Sequence, residues 1–245
     1  MTSTNKEQSA DNHLYWVADN VIANDFPDVN SALRDPDGLL AIGGDLSSER
    51  LLSAYQRGIF PWYSEGQPIL WWSPDPRCVL EPANLKISRS LSKTLRKGHF
   101  HVSFNQAFEK VIHECSEPRE ADTGTWITTD MTQAYISLHH QGHAVSVECW
   151  HNSELVGGLY GIVIGKIFFG ESMFSRMTDA SKVALVHLVQ TIQELDFRLI
   201  DCQVYSKHLH SLGAAPMQRK LFTSFLDNYC IPSNPISWPV EQASL

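Results

Sequence analysis

The sequence predicts an α+β protein. A small N-terminal α/β domain spans residues 14–76, and a larger domain over 77–245 carries a mixed, largely antiparallel sheet flanked by helices. Three observations support this. Residues 60–77, FPWYSEGQPILWWSPDPR, hold Trp62, Trp71 and Trp72 with four prolines. Proline fixes φ and lacks an N–H, so the stretch reads as a stiff, irregular connector, neither helix nor central strand. Residues 144–170 alternate or run apolar, with turn residues at Asn152-Ser153 and Gly165, which is a strand and hairpin pattern. Leu185, Leu188, Val189, Ile192 and Leu195 then form one apolar helical face, and residues 198–204 read as a strand after it.

Taken in order, residues 14–22 are short and apolar, a strand candidate, and Asp35-Pro36-Asp37-Gly38 is a turn. Asp45-Leu46-Ser47-Ser48 starts a helix that Gly58 ends in the left-handed conformation. Gly43-Gly44 lacks the spacing of a phosphate-binding loop and reads as a turn. Residues 88–97 form a helix with Leu91 and Leu95 on one face, following Ile87 at the same spacing. Strand 100–104, helix 105–115, a charged loop 118–124 delivering Trp126, and helix 130–141 come next. Strands 144–150, 154–164 and 166–170 precede the long helix, which Thr178-Asp179 caps. A final helix covers 216–228.

Composition narrows the class. With 43% hydrophobic and 19% charged residues, the chain is that of a soluble globular protein. Its five cysteines are scattered without a CxxC, which argues against zinc or a disulfide framework and suits a reducing cytoplasm. Residues 1–13 are polar, so a disordered tail is expected rather than a signal peptide. The longest apolar stretch, 155–170, contains Lys166 and five glycines and is no membrane span. The eleven histidines show no metal-ligand spacing, and no GxSxG motif occurs. Net charge is −8, but residues 1–75 carry 11 acids against 4 bases. No acid lies between Glu81 and Glu109, where Arg89, Lys93, Arg96 and Lys97 fall. That helix is either a solvated basic face or a surface for nucleic-acid phosphates. The aromatics of 60–77 either stack on bases or are buried between two domains.

GLLAIGGDLS (38–47), AYQRGIFPW (54–62), GTWIT (124–128), ELVGGLYGIVIGKIFFGESMFSRMTDASKVAL (154–185), LIDCQV (199–204) and SLGA (211–214) together resemble bacterial leucyl/phenylalanyl-tRNA–protein transferases. The resemblance covers about residues 14–235. It implies transfer of Leu or Phe, and less readily Met, from aminoacyl-tRNA to the N-terminal amine of proteins beginning with Arg or Lys. Such modification marks a protein for degradation by the N-end rule. The family's second domain has the GNAT acyltransferase core, matching the order of strand meander, helix and further strand. The pyrophosphate loop of acetyl-CoA-using GNAT enzymes, Q/RxxGxG/A, is replaced here by Ser175-Arg176-Met177-Thr178-Asp179-Ala180, with no glycine. An acyltransferase using another carrier and a non-enzymatic RNA-binding module are the rival readings.

The implied reaction is ester aminolysis. An α-amine with a pKa of about 7.7–8.0 is partly neutral at pH 7, so the site needs positioning and a proton acceptor rather than a strong base. No cofactor or metal is needed. Period-two alternation puts Asp201 and Gln203 on one face of their strand, and an acid and an amide are costly in so apolar a run. The resemblance places these two positions at the reacting amine; the expected roles are that Asp201 attracts the cationic acceptor and polarises Gln203 and that Gln203 orients the amine or relays its proton, the alternative being a satisfied strand-end hydrogen-bond pair. Glu171 either binds one of the amino groups or is an ordinary strand-end carboxylate. Phe168, Met173, Phe174 and Leu159 either line the pocket for the donated side chain or are ordinary core. Family members often carry Met where this chain has Leu159. By resemblance, Trp62, Trp126 and Tyr135 contact the terminal adenosine. A monomer is expected, with no membrane association.

Overall fold

The computed structural model describes residues 14–18, 23–117, 127–232, 236–239 and 241–242. β1 (Tyr15–Val17) runs parallel to β2 (Leu39–Gly43), and α1 (Ser48–Gln56) follows. β3 (Phe60–Pro61) and β4 (Leu70–Trp72) complete a four-stranded sheet in the order β1-β2-β4-β3. The aromatic stretch is therefore not wholly irregular. Trp71 and Trp72 lie on an interior strand, because Pro61 sits on the edge strand and Pro68, Pro74 and Pro76 fall outside strands, leaving the β4 amides able to pair. Of the strand expected over 14–22, residues 19–22 lie outside the described residues, as do the expected loop 118–124 and Trp126.

The larger sheet begins with β5 (Arg77–Leu80), followed by α2 (Arg89–Lys97), β6 (His101–Phe104), α3 (Phe108–Ser116) and α4 (Thr129–His140). β7 (Ala144–His151), β8 (Glu154–Ile164), β9 (Ile167–Ser175), α5 (Ala180–Glu194) and β10 (Leu199–Gln203) follow. α6 (Lys207–Ser211), β11 (Ala215–Met217), α7 (Arg219–Tyr229) and β12 (Glu241–Gln242) end the chain. The strand order is β11-β5-β10-β9-β8-β7-β6-β12. Only β10 with β9 is parallel, as the crossover through α5 requires. The expected meander, helix and further strand are thus present. β5, β11 and α6 were not foreseen.

Two apolar clusters flank this sheet. One packs α2 and α5 on one face, through residues such as Leu91, Leu185 and Ile192. The other joins α3, α4 and α7 to α1 and the four-stranded sheet, so the small N-terminal unit shares its core with the rest. α1 ends as expected: Gly58 has φ +75, and a Cβ there would meet Phe222 of α7 at 3.0 Å. At Gly157 a Cβ would lie 2.5 Å from that of Ala180, so the glycine lets β8 approach the start of α5. The expected side-chain cap of α5 is absent. Asp179 is itself left-handed, at φ 69, which turns its carboxylate from the first helical N–H groups. It accepts instead from Lys182 at 2.8 Å and Thr94 at 3.2 Å.

Candidate active site

A cavity of about 380 Å³ opens beside β8, β9 and β10, with α5 and α6 contributing to its wall. The β10–β9 pairing runs from Leu199↔Ile167 to Asp201↔Phe169. Beyond it β9 continues against β8 alone, and the cavity's polar residues are found there. Leu80, Leu159, Phe168, Met173, Leu185 and Ile200 supply apolar lining, while Glu171 and Gln203 supply polar groups.

Two bulges aim those groups. On β9, Tyr160 pairs with Ser172 and Gly161 with Gly170, so Glu171 is the extra residue. On β10, Asp201 pairs with Val79 and Gln203 with Cys78, so Cys202 is extra. Gln203 has φ 60, an uncommon conformation for a residue with a side chain and one that recurs at functional sites. Its backbone N donates to Asp201 Oδ1 at 2.9 Å, and its Nε2 donates to Glu171 Oε1 at 2.8 Å.

The regular alternation expected across Asp201 and Gln203 is interrupted at Cys202. The bulge breaks the alternation, so Gln203 joins the cavity wall while Asp201 does not. Asp201 is fully buried and accepts from Arg77 Nε and Nη2 at 2.8 and 2.7 Å. Its charge is therefore matched internally rather than offered to a cationic acceptor, and it holds the backbone of Gln203 rather than its amide. Arg77 also donates to Gly58 O at 3.1 Å and lies against the rings of Phe60 and Phe222.

Glu171, only 8% exposed, lies 2.8 Å from Tyr55 Oη and 2.8 Å from Tyr135 Oη, and it accepts from Gln203 Nε2. Burial pushes its carboxyl up to about 7 and the charge of Asp201 adds to the rise, while any hydrogen donated to its oxygens opposes it. Burial also holds the phenols of Tyr55, Tyr135 and Tyr160 well above their usual value. Tyr135 is fully enclosed, so it presents no ring face to an adenosine and serves Glu171 instead. Phe174 belongs to the cluster on the opposite face of the sheet and does not line the cavity, because it follows Met173 by one residue on β9. Leu159, Phe168 and Met173 do line it. Trp62 is 42% exposed and packs beside Trp72, whose Nε1 donates to Trp62 O at 2.7 Å. Trp71 is core. Arg89, Lys93, Arg96 and Lys97 are all exposed on α2.

Sequence reasoning missed Tyr55 and Arg77. Arg77 had a usable signal: it is a cation opening the apolar run RCVL, the same anomaly that drew attention to Asp201. Among the described residues, no group of three or more His, Cys, Asp or Glu could hold a metal. No described helix is long and apolar enough to cross a membrane.

Two family models match the chain. The leucyl/phenylalanyl-tRNA protein transferase model covers residues 79–227, and the N-terminal domain model of the same family covers residues 44–75. A leucyl/phenylalanyl-tRNA–protein transferase of Aromatoleum aromaticum is 59% identical over 90% of this chain and 93% of its own. One from Pseudomonas fluorescens is 54% identical over 92% of this chain and 99% of its own. Among solved structures, a GCN5-related N-acetyltransferase from Kribbella flavida aligns at 9% identity over 68% of this chain and 59% of its own, with a TM-score of 0.33. L-PGS from Bacillus licheniformis aligns at 10% identity over 70% of this chain and 57% of its own, with a TM-score of 0.38. Likenesses that distant carry no argument.

Proposed function

The chain belongs to the leucyl/phenylalanyl-tRNA–protein transferase family, a family of aminoacyltransferases, and from that premise we propose that it moves Leu or Phe, and more slowly Met, from aminoacyl-tRNA to the N-terminal amine of proteins beginning with Arg or Lys. The observation that carries this reading is an apolar cavity of amino-acid size with Glu171 and Gln203 on its wall. Leu159, Phe168, Met173 and Ile200 take the donated side chain, which fixes the ester carbonyl beside the two polar groups. The acceptor amine attacks that carbonyl. A C–N bond forms, the C–O bond to the tRNA breaks, and the proton lost by the amine balances the one gained by the leaving 3′ oxygen. Gln203 orients the amine, Asp201 and Arg77 fix Gln203, and no cofactor or metal takes part.

The remaining parts of the reading follow the same premise. Residues 77–245 act as the catalytic unit, supported by 14–76. Trp62 and Trp126 stack on the terminal adenosine, and α2 meets tRNA phosphates through Arg89, Lys93, Arg96 and Lys97. The enzyme works as a cytoplasmic monomer, and its products enter N-end rule degradation. The test supplies labelled Leu-tRNA with a peptide beginning with Arg and with the same peptide beginning with Ala. Transfer to the first alone supports the proposal. Transfer to both refutes the acceptor specificity, and transfer to neither refutes the reading.

A further inference from the structure

Tyr55, Tyr135 and Glu171 make three close oxygen–oxygen contacts. Tyr55 Oη lies 2.8 Å from Glu171 Oε1, Tyr135 Oη lies 2.8 Å from Oε2, and the two phenol oxygens are 2.7 Å apart. Two phenols bring two hydrogens. If both point at a carboxylate, the phenol oxygens face each other at hydrogen-bond distance with no hydrogen between them. In a dry site that contact is repulsive and leaves polar atoms poorly matched.

A third hydrogen, on Glu171 Oε2, removes the conflict. Glu171 Oε2 then donates to Tyr135, Tyr135 donates to Tyr55, and Tyr55 donates to Oε1. As the carbonyl oxygen, Oε1 has two lone pairs. Tyr55 fills one and Gln203 Nε2, at 2.8 Å, fills the other. Every contact in the cluster becomes a hydrogen bond with a single direction. We propose that Tyr55 and Tyr135 are positioning residues that hold Glu171 as a neutral carboxylic acid, its proton on Oε2, in a closed ring of three hydrogen bonds.

The surroundings favour that state. Glu171 is met by Tyr55 from α1, Tyr135 from α4, Tyr160 from β8, and Asp201 and Gln203 from β10. Cys115 of α3 interacts with Tyr160, and His208 lines the same cavity. Asp201 opposes a second anion, and its partner Arg77 is already committed to it. Burial raises the carboxyl, and the phenols keep their hydrogens.

The ring has a consequence for transfer, and that consequence alone rests on the proposed function. A carboxylate beside the acceptor would pair with its ammonium form and hold it protonated, which is the form that cannot attack. A neutral acid exerts no such pull, so the neutral fraction of an amine of pKa about 7.7–8.0 can enter with its lone pair free. The ring also fixes Gln203: with Nε2 given to Glu171, the amide oxygen is left to accept a hydrogen from the incoming amine.

The protonation state can be read without activity, by carbon NMR of the full-length protein labelled at glutamate carboxyl carbons. The Glu171 signal is assigned by its loss in Glu171→Gln. In the native protein it should be protonated about one unit below a midpoint of about 7. Tyr55→Phe and Tyr135→Phe should each lower that midpoint, because each change breaks two hydrogen bonds of the neutral ring and, in the ionised form, also relieves the contact between the two phenol oxygens, which offsets the one bond the carboxylate loses. A midpoint that rises, or does not move, means the phenols only donate to a carboxylate and overturns the proposal. A native Glu171 already ionised below pH 6 overturns it whether or not either variant folds. A neutral Glu171 in a protein that transfers nothing to the Arg peptide would leave the ring standing and refute the transfer reading alone.

Discussion

Arg77 and Asp201 grip each other across β5 and β10 through two parallel contacts, Nε to Oδ1 at 2.8 Å and Nη2 to Oδ2 at 2.7 Å, with both side chains out of solvent. A buried pair of this kind offsets its own desolvation only when both partners are present. Asp201→Ala should therefore cost about 3–5 kcal/mol of folding stability, read from urea unfolding, as well as activity. The paired change Arg77→Met with Asp201→Leu should recover most of the stability. It should not recover transfer, because the backbone N of Gln203 loses its acceptor. A double variant with native turnover would show that Asp201 has no part in placing Gln203.

The tryptophans of 60–77 divide by environment. Trp71 is fully buried and donates from Nε1 to Gly43 O at 2.8 Å. Trp71→Ala should cost about 3–5 kcal/mol in the same unfolding experiment. Trp62 is 42% exposed and packs beside Trp72, so Trp62→Ala should cost much less stability than Trp71→Ala and raise the KM for aminoacyl-tRNA. If Trp62→Ala changes stability and not KM, stacking on the adenosine is excluded.

Glu171 makes stability depend on pH. Its carboxyl rises from an ordinary value of 4.5 to about 7 in the folded state. Between those values the folded protein keeps a proton that the unfolded chain releases. Stability is thus full below about 4.5, falls as pH rises through about 7, and is then level. The total loss is ~3 kcal/mol. Glu171→Gln cannot titrate, so the native protein should lose stability relative to it over this window. Parallel urea curves at every pH would contradict the buried-acid account.

The exposed cations of α2 should matter through salt. Replacing Arg89 and Lys93 by Ala should weaken aminoacyl-tRNA binding and reduce the slope of log affinity against log salt by about one for each phosphate no longer neutralised. The kcat at saturating tRNA should hold. An unchanged slope would leave α2 as a solvated face.

Period-based patterns carried the helices and the long strands. Ser88 accepts from Leu91 N at the head of α2, and Gly58 closes α1, because both signals are local. The site was less legible. Alternation along β10 does not show the extra residue at Cys202, nor that Arg77 encloses Asp201 while Gln203 reaches the cavity wall. No short window shows that Glu171 is also an extra residue, on β9, or that Tyr55 comes to it from 116 positions away. Trp71 and Trp72 escaped for a different reason. Proline content describes the whole stretch, whereas a strand excludes proline only where its own amides must pair.

Tyr55 comes from the first α-helix of the chain and Glu171 from a strand of the larger sheet, while Phe222, near the end, closes over both Arg77 and Gly58. Synthesis runs from N to C, so Phe222 of α7, which seats the guanidinium, is made after Tyr55, Arg77, Glu171 and Gln203. A nascent chain stalled ahead of that helix would carry the chemistry and be unable to use it.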